Sequence, residues 1–316
     1  MQPEYHTEDS TEQTVYGQLW FAAVLTASVL VVEVVGGVLS GSLALLSDAA
    51  HVFLDIFSIG LTIFAIRLSR RPPSHSRTYG WHRAEVMAAM LNGLTLFGVA
   101  VGIIYHAIER FSSPPVIRWG IMLPAGGVGL LANLVVALRL THYKEHSLNV
   151  RSAFLHVMSD LFGSVAVMVA AVVISLTGSR FLWIDPALAS LIAVLIFHGA
   201  FRLVNESFHI LLEGVPPNLK VNEVAQTIRT VPGVKEVHHL HIWGLCSQVV
   251  ALSCHIVKDE SMPPDSLITD INRHLQEKHG ITDTTIQIDQ EAQEGERLIE
   301  PLKHPPGAAD HHEHDH

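Results

Sequence analysis

Two pairs of side chains with metal-binding chemistry sit at the same spacing inside apolar runs. One is His51 and Asp55, within Ser47-Asp48-Ala49-Ala50-His51-Val52-Phe53-Leu54-Asp55, and the other is His156 and Asp160, within His156-Val157-Met158-Ser159-Asp160. Residues four apart share a helix face, so two such helices facing each other converge four N and O ligands on one point. An ionised Asp at a bilayer centre costs about 3 kcal/mol on insertion scales, which makes an intramembrane His/Asp pair a functional hypothesis. Two imidazoles and two carboxylates without a thiolate suit a borderline ion in tetrahedral geometry, favouring Zn²⁺ over Cu⁺ or Mg²⁺. Two neutral His, two Asp⁻ and one divalent cation sum to zero charge, which a low-dielectric place requires. Once the ion leaves, proton uptake by the ligands relieves the repulsion between two carboxylates, so metal-for-proton exchange follows from the ligand set. The alternative is that these groups hydrogen-bond helices together. Two matched pairs weigh against it.

The elements that must carry these pairs are membrane helices. The chain has 316 residues, 49% hydrophobic and only 16% charged, with mean hydropathy +0.33. Six apolar windows, near 17–37, 42–66, 86–108, 119–140, 150–176 and 183–206, are long enough to cross a hydrocarbon core of about 30 Å. The polar, acidic first fifteen residues are not the basic start of a signal peptide. Arg67, Arg70, Arg71, Arg77 and Arg83 follow the second window, and Arg139, Lys144 and Arg151 surround the turn after the fourth. Basic loops face the cytoplasm, so both termini are expected there, in a multi-pass protein of a cell (cytoplasmic or inner) membrane. The second helix then runs inward and the fifth outward, with Asp55 and Asp160 both in the inner half to middle of the membrane. The His-x-x-x-Asp helices occupy corresponding places in two three-helix halves, as in an inverted repeat.

After Glu206 the composition shifts, and Pro216-Pro217 marks entry to a soluble domain. Val221, Val224, Ala225 and Ile228 predict a helix ending at Pro232-Gly233. Val234 to Trp243 and Gln248 to Val257 predict a hairpin, 265–279 a second helix, and Thr284 to Asp289 a last strand. The fold class is therefore a membrane all-α six-helix domain (16–207) after a polar tail (1–15), then a small cytoplasmic α+β domain of order αββαβ (208–290) and a disordered His-rich tail (291–316). A net charge of −10 argues against nucleic acid as a partner. Cys246 and Cys254 form no disulfide framework and are expected to be small packing groups. Glu33 is either part of a proton or metal path or a helix-packing partner, and Asn133 is expected to pack helices. The terminal His311, His312, His314 and His316 form no preformed site.

The runs Ser40-Gly41-Ser42-Leu43-Ala44-Leu45-Leu46-Ser47-Asp48-Ala49-Ala50-His51, Tyr79-Gly80-Trp81-His82-Arg83-Ala84-Glu85, Leu155-His156-Val157-Met158-Ser159-Asp160 and His238-His239-Leu240-His241-Ile242-Trp243 resemble the cation diffusion facilitator family, in its zinc-exporting ZnT and CzcD-type branch. The resemblance implies a homodimer in the lipid bilayer, each protomer with a metallochaperone-like cytoplasmic domain, exporting divalent metal against protons by alternating access. It also implies that His51, rather than Asp at that place, favours zinc; Zn²⁺ is expected as cargo, and as regulator if it also binds the soluble domain and draws the two soluble domains together. A further site of some relatives, in the loop between the second and third helices, is not carried over, because only His75 and His82 stand there.

In the soluble domain the resemblance maps a metal site onto His238, His255 and Asp289, with Gln287 where some relatives place another His. Strand alternation disagrees in part: it sets His238 on the face of Leu240 and Ile242, away from His255 and Asp289, and would choose His239 or His241. A bulge, or a strand starting after His238, would reconcile the two. A plain histidine cluster is the alternative. Two other classes stand against a transporter: an integral-membrane metalloenzyme, for which no His-Glu-x-x-His lies in any of the six apolar windows, and a zinc-gated channel.

Overall fold

The computed structural model describes residues 6–141, 148–246, 249–260, 262–291 and 297–299. Six long helices run in order, α1 (His6–Ser40), α2 (Leu43–Ser69), α3 (Arg83–Ser112), α4 (Trp119–Thr141), α5 (Leu148–Thr177) and α6 (Ile184–Leu211). All six contain windows long and apolar enough to span a membrane. The first differs from expectation at its start: it begins at His6, inside the stretch read as a polar tail. No Gly or Pro stands between His6 and Tyr16 to stop a helix propagating backwards from the apolar span.

The chain divides into two compact units, one of residues 1–65 with 88–204 and the other of residues 66–87 with 205–316. In the first, small residues let helices approach closely, as packing in lipid requires. Gly36 of α1 lies against Ala125 of α4 so tightly that any side chain at 36 would collide. Ala44 and Leu45 of α2, Met122 and Ala125 of α4, and Val167, Ala170, Ala171 and Ile174 of α5 form one buried cluster. Leu43, Ile103, Ala107, Ala189 and Ala193 form another, joining α2, α3 and α6.

The start of α2 is fixed by a residue far away in sequence. Gly41 turns the chain at φ 75°, which favours glycine, and the Ser42 Oγ accepts from Leu45 N at 3.1 Å in the manner of an N-cap. Asp185 at the start of α6, fully buried, accepts from Ser42 Oγ (2.5 Å), Leu43 N (2.7 Å) and Ala44 N (3.2 Å). Its charge is paired with Arg110 at 3.5 Å, and Arg110 also donates to Gly41 O.

In the second unit, α7 (Val221–Arg229), β1 (Val234–Gly244), β2 (Val250–Lys258), α8 (Pro264–His279) and β3 (Asp283–Asp289) reproduce the expected αββαβ order. β1 pairs antiparallel with β2, and β2 parallel with β3, in the order β1-β2-β3. Val224, Ile228, Leu267, Ile271 and Leu275 of the helices pack on Val237, Leu240, Ile242, Leu252 and Ile256 of the sheet. Gly280, at φ 69°, ends α8 by donating its N–H back to Gln276 O. The expected strand start at Gln248 is later, at Val250, while Ser247 and Gln248 lie outside the described residues. Cys246 and Cys254 are free and buried; burial pushes the Cys254 thiol up to about 12, which suits a packing group.

Past Asp289, within the stretch expected to be a tail, Arg297 O and Leu298 O accept hydrogen bonds from His239 N (3.3 Å) and Leu240 N (2.8 Å) of β1, and Leu298 packs against the domain core. The unpaired edge of β1 supplies the donors. The terminal histidines lie outside the described residues.

Candidate metal centre

α2 and α5 bring the two sequence pairs together. His156 Nε2 lies 3.2 Å from Asp55 Oδ2 and 3.7 Å from Asp160 Oδ2, while His51 Nε2 is 3.8 Å from both Asp55 Oδ2 and Asp160 Oδ1. A tetrahedral zinc with bonds of about 2.0–2.1 Å sets its ligand atoms about 3.3 Å apart, so these separations are within about half an ångström of a coordination shell. His51, Asp55 and Asp160 each offer an atom within 4.8 Å of the others. His156 stands at the rim of that set, touching both carboxylates, with its side chain half exposed. Asp160 Oδ1, which faces His51 Nε2, is buried without a hydrogen-bond partner among the described residues, an arrangement that suits an oxygen reserved for a cation rather than helix glue.

Behind the quartet lies a polar chain only partly legible in the sequence. Asn133 of α4 donates to Ser164 Oγ of α5 at 3.1 Å, and Ser164 in turn hydrogen-bonds Asp48 of α2. Asp48, three residues before His51, is buried, and the sequence reading passed over it. Glu33 is also buried, with Oε1 pressed against Gly129 of α4 and Oε2 without a partner among the described residues. Glu33, Asp48 and Asp160 are near enough to repel one another electrostatically.

The soluble unit holds a second cluster. His238 Nε2 lies 3.1 Å and His255 Nδ1 2.9 Å from the same oxygen, Asp289 Oδ2. The parity conflict is removed by a bulge: His238 pairs with His255 and His241 with Ser253, so His239 and Leu240 together oppose Cys254. His239 carries the irregularity at φ 50°. Val237 and Leu240 thereby both reach the core while His238 turns to the face of His255 and Asp289. His239 and His241, which alternation alone would choose, are outside the cluster; the His239 ring stacks on His255 at 4.9 Å. Gln287 Nε2 donates to Asp289 Oδ1 at 2.8 Å. That bond first, and the two imidazoles with it, hold the Asp289 carboxyl below its usual range.

Six membrane-length helices bearing a His/Asp quartet, with an appended αββαβ unit, define a multi-pass membrane protein that handles cations. Residues 19–212 match the family model described as the cation efflux transmembrane domain, and residues 216–291 the model described as the cation efflux protein, cytoplasmic domain. The chain is 36% identical over 301 residues to a "Cadmium, cobalt and zinc/H(+)-K(+) antiporter" of Bacillus subtilis, covering 94% of this chain and 96% of that one. It is 41% identical over 272 residues to the "Metal cation efflux system protein CzcD" of Cupriavidus metallidurans, covering 86% and 85%. To the "Zinc transporter ZitB" of Escherichia coli it is 39% identical over 279 residues, covering 86% and 87%. The chain belongs to the cation efflux family: it is a membrane transporter of metal cations, not an enzyme.

Proposed function

We propose that this chain exports Zn²⁺ in exchange for protons by alternating access, with His51, Asp55, His156 and Asp160 as the transport site. The observation that carries the reading is the ring of four contacts, 3.2–3.8 Å long, between the two imidazoles and the two carboxylates. Those separations suit a tetrahedral ion of zinc's size, with His156 Nε2 between the two carboxylates at 3.2 and 3.7 Å. Two Asp⁻ and a divalent cation cancel, so the loaded site crosses a low-dielectric region without net charge; the unloaded ligands do so by carrying protons instead. Each half-cycle then exposes the site to one side only, and the ion and protons compete for the same four side chains. The printed antiporter and zinc-transporter names of the relatives support this reading.

The site belongs, in this reading, to the 16–207 transport domain, with both termini and the 208–290 domain in the cytoplasm and the protomers paired as a homodimer. Zinc at His238, His255 and Asp289 draws the two soluble domains together and biases the transport equilibrium, so the domain reports cytosolic zinc. Radioactive zinc uptake into inverted vesicles under a proton gradient tests the reading. Asp55→Ala and Asp160→Ala each abolish uptake; undiminished uptake would overturn it, and zinc conductance without proton movement would point to a channel.

A further inference from the structure

The bulge in β1 has a support that neither the site nor the hydrophobic core supplies. β1 is an edge strand, and at the bulge two successive amides, His239 N–H and Leu240 N–H, leave the ladder with β2 and turn outward. An unpaired N–H pair on a strand edge is a weakness, and positive φ at a residue with a Cβ adds strain. Both amides are met by consecutive carbonyls, Arg297 O at 3.3 Å and Leu298 O at 2.8 Å. Leu298 is pinned in turn by packing against the core, while Ile299 beside it stays exposed. Without the bulge, strand alternation returns His238 to the core face, away from His255 and Asp289.

We propose that residues 297–298 are a strap that holds the β1 bulge and thereby positions His238 for the cytoplasmic metal site. The strap's two hydrogen bonds fall on the backbone of His239 and Leu240, so it acts as outer-shell partners act on metal ligands. The proposal rests on His238, His255 and Asp289 being a metal site.

The test uses the full chain in detergent with Asp55→Asn and Asp160→Asn, so that the membrane quartet does not compete, titrated with zinc against a fluorescent chelator. Ending the chain after Glu291 weakens binding by about tenfold or more, the size expected for loss of an outer-shell support. Ending it after Ile299 leaves binding unchanged. Leu298→Asp, which keeps every terminal histidine, weakens binding as the shorter truncation does. His239→Gly, which adopts positive φ without strain, restores part of the affinity to the chain ending at Glu291, a rescue that general loss of folding would not allow. Equal affinities for the full chain, the Glu291-ended chain and Leu298→Asp, with His255→Ala abolishing binding, would overturn the strap, as would failure of His239→Gly to rescue. Unchanged binding in His255→Ala would overturn the metal site itself, and the strap with it.

Discussion

His156 Nε2 on α5 lies 3.2 Å from Asp55 Oδ2 on α2, closer than either histidine lies to the carboxylate on its own helix. The site is therefore made between helices, and a relative shift of α2 and α5 changes its geometry directly. A proposed transport site has to be breakable in that way, whereas ligands all on one helix, locked by their own spacing, would bind without releasing.

Selectivity should follow the charge count at His51. His51→Asp makes three carboxylates against one imidazole, giving the loaded site a net charge of −1 and a ligand set with less of the imidazole nitrogen that suits tetrahedral zinc. Competition between zinc and cadmium in vesicle uptake should show zinc preference reduced, with transport retained; an unchanged preference would remove His51 as a selectivity residue.

Asp185 should matter for stability although it is no part of the His/Asp quartet. Removing one partner of a buried ion pair costs about 3–5 kcal/mol, and Asp185→Ala also strands the Ser42 hydroxyl and the Leu43 and Ala44 amides at the start of α2. Thermal melting in detergent should fall sharply for Asp185→Ala. A melting temperature equal to the parent's would mean the cap is dispensable.

What was legible in the sequence and what was not divides along physical lines. The quartet could be read because each pair lies within one helical turn of an apolar run, so local spacing sets its direction. Asp185 could not be, since the groups it caps are 143 to 141 residues away and a single Asp before Pro186 carries no pattern. At His238 the sequence showed only a contradiction between strand alternation and the family resemblance. The resolving bulge places a histidine, not a glycine, at positive φ, and its support comes from a polar, Pro-rich stretch with no strand periodicity. Neither feature leaves a local signal.

The pH response of the cytoplasmic cluster should depend on Gln287. Asp289's folded pKa lies below its ordinary 3.8, so its ionised form holds at all pH above that value and is lost as pH falls through the lower, folded one. Gln287→Leu removes the largest cause of the lowering. In the Asp55→Asn, Asp160→Asn background, this variant should release zinc at a higher pH than its parent; coincident release curves would assign the lowering to the imidazoles alone.

Zinc at the cytoplasmic cluster should change the separation of the two soluble domains in the dimer. Distances between spin labels placed on exposed α8 positions such as Arg273 should shorten on adding zinc and stay unchanged in His255→Ala. Equal distances with and without zinc would leave the cluster without a sensing role.

The central claim is that zinc and protons exchange on the same four side chains, and simultaneous recording of zinc and proton flux in proteoliposomes tests it most directly. The account predicts that zinc influx drives proton efflux in the parent, and that Asp55→Ala and Asp160→Ala each abolish both fluxes together. Zinc flux that persists in either variant, or that proceeds in the parent without proton movement, would contradict it.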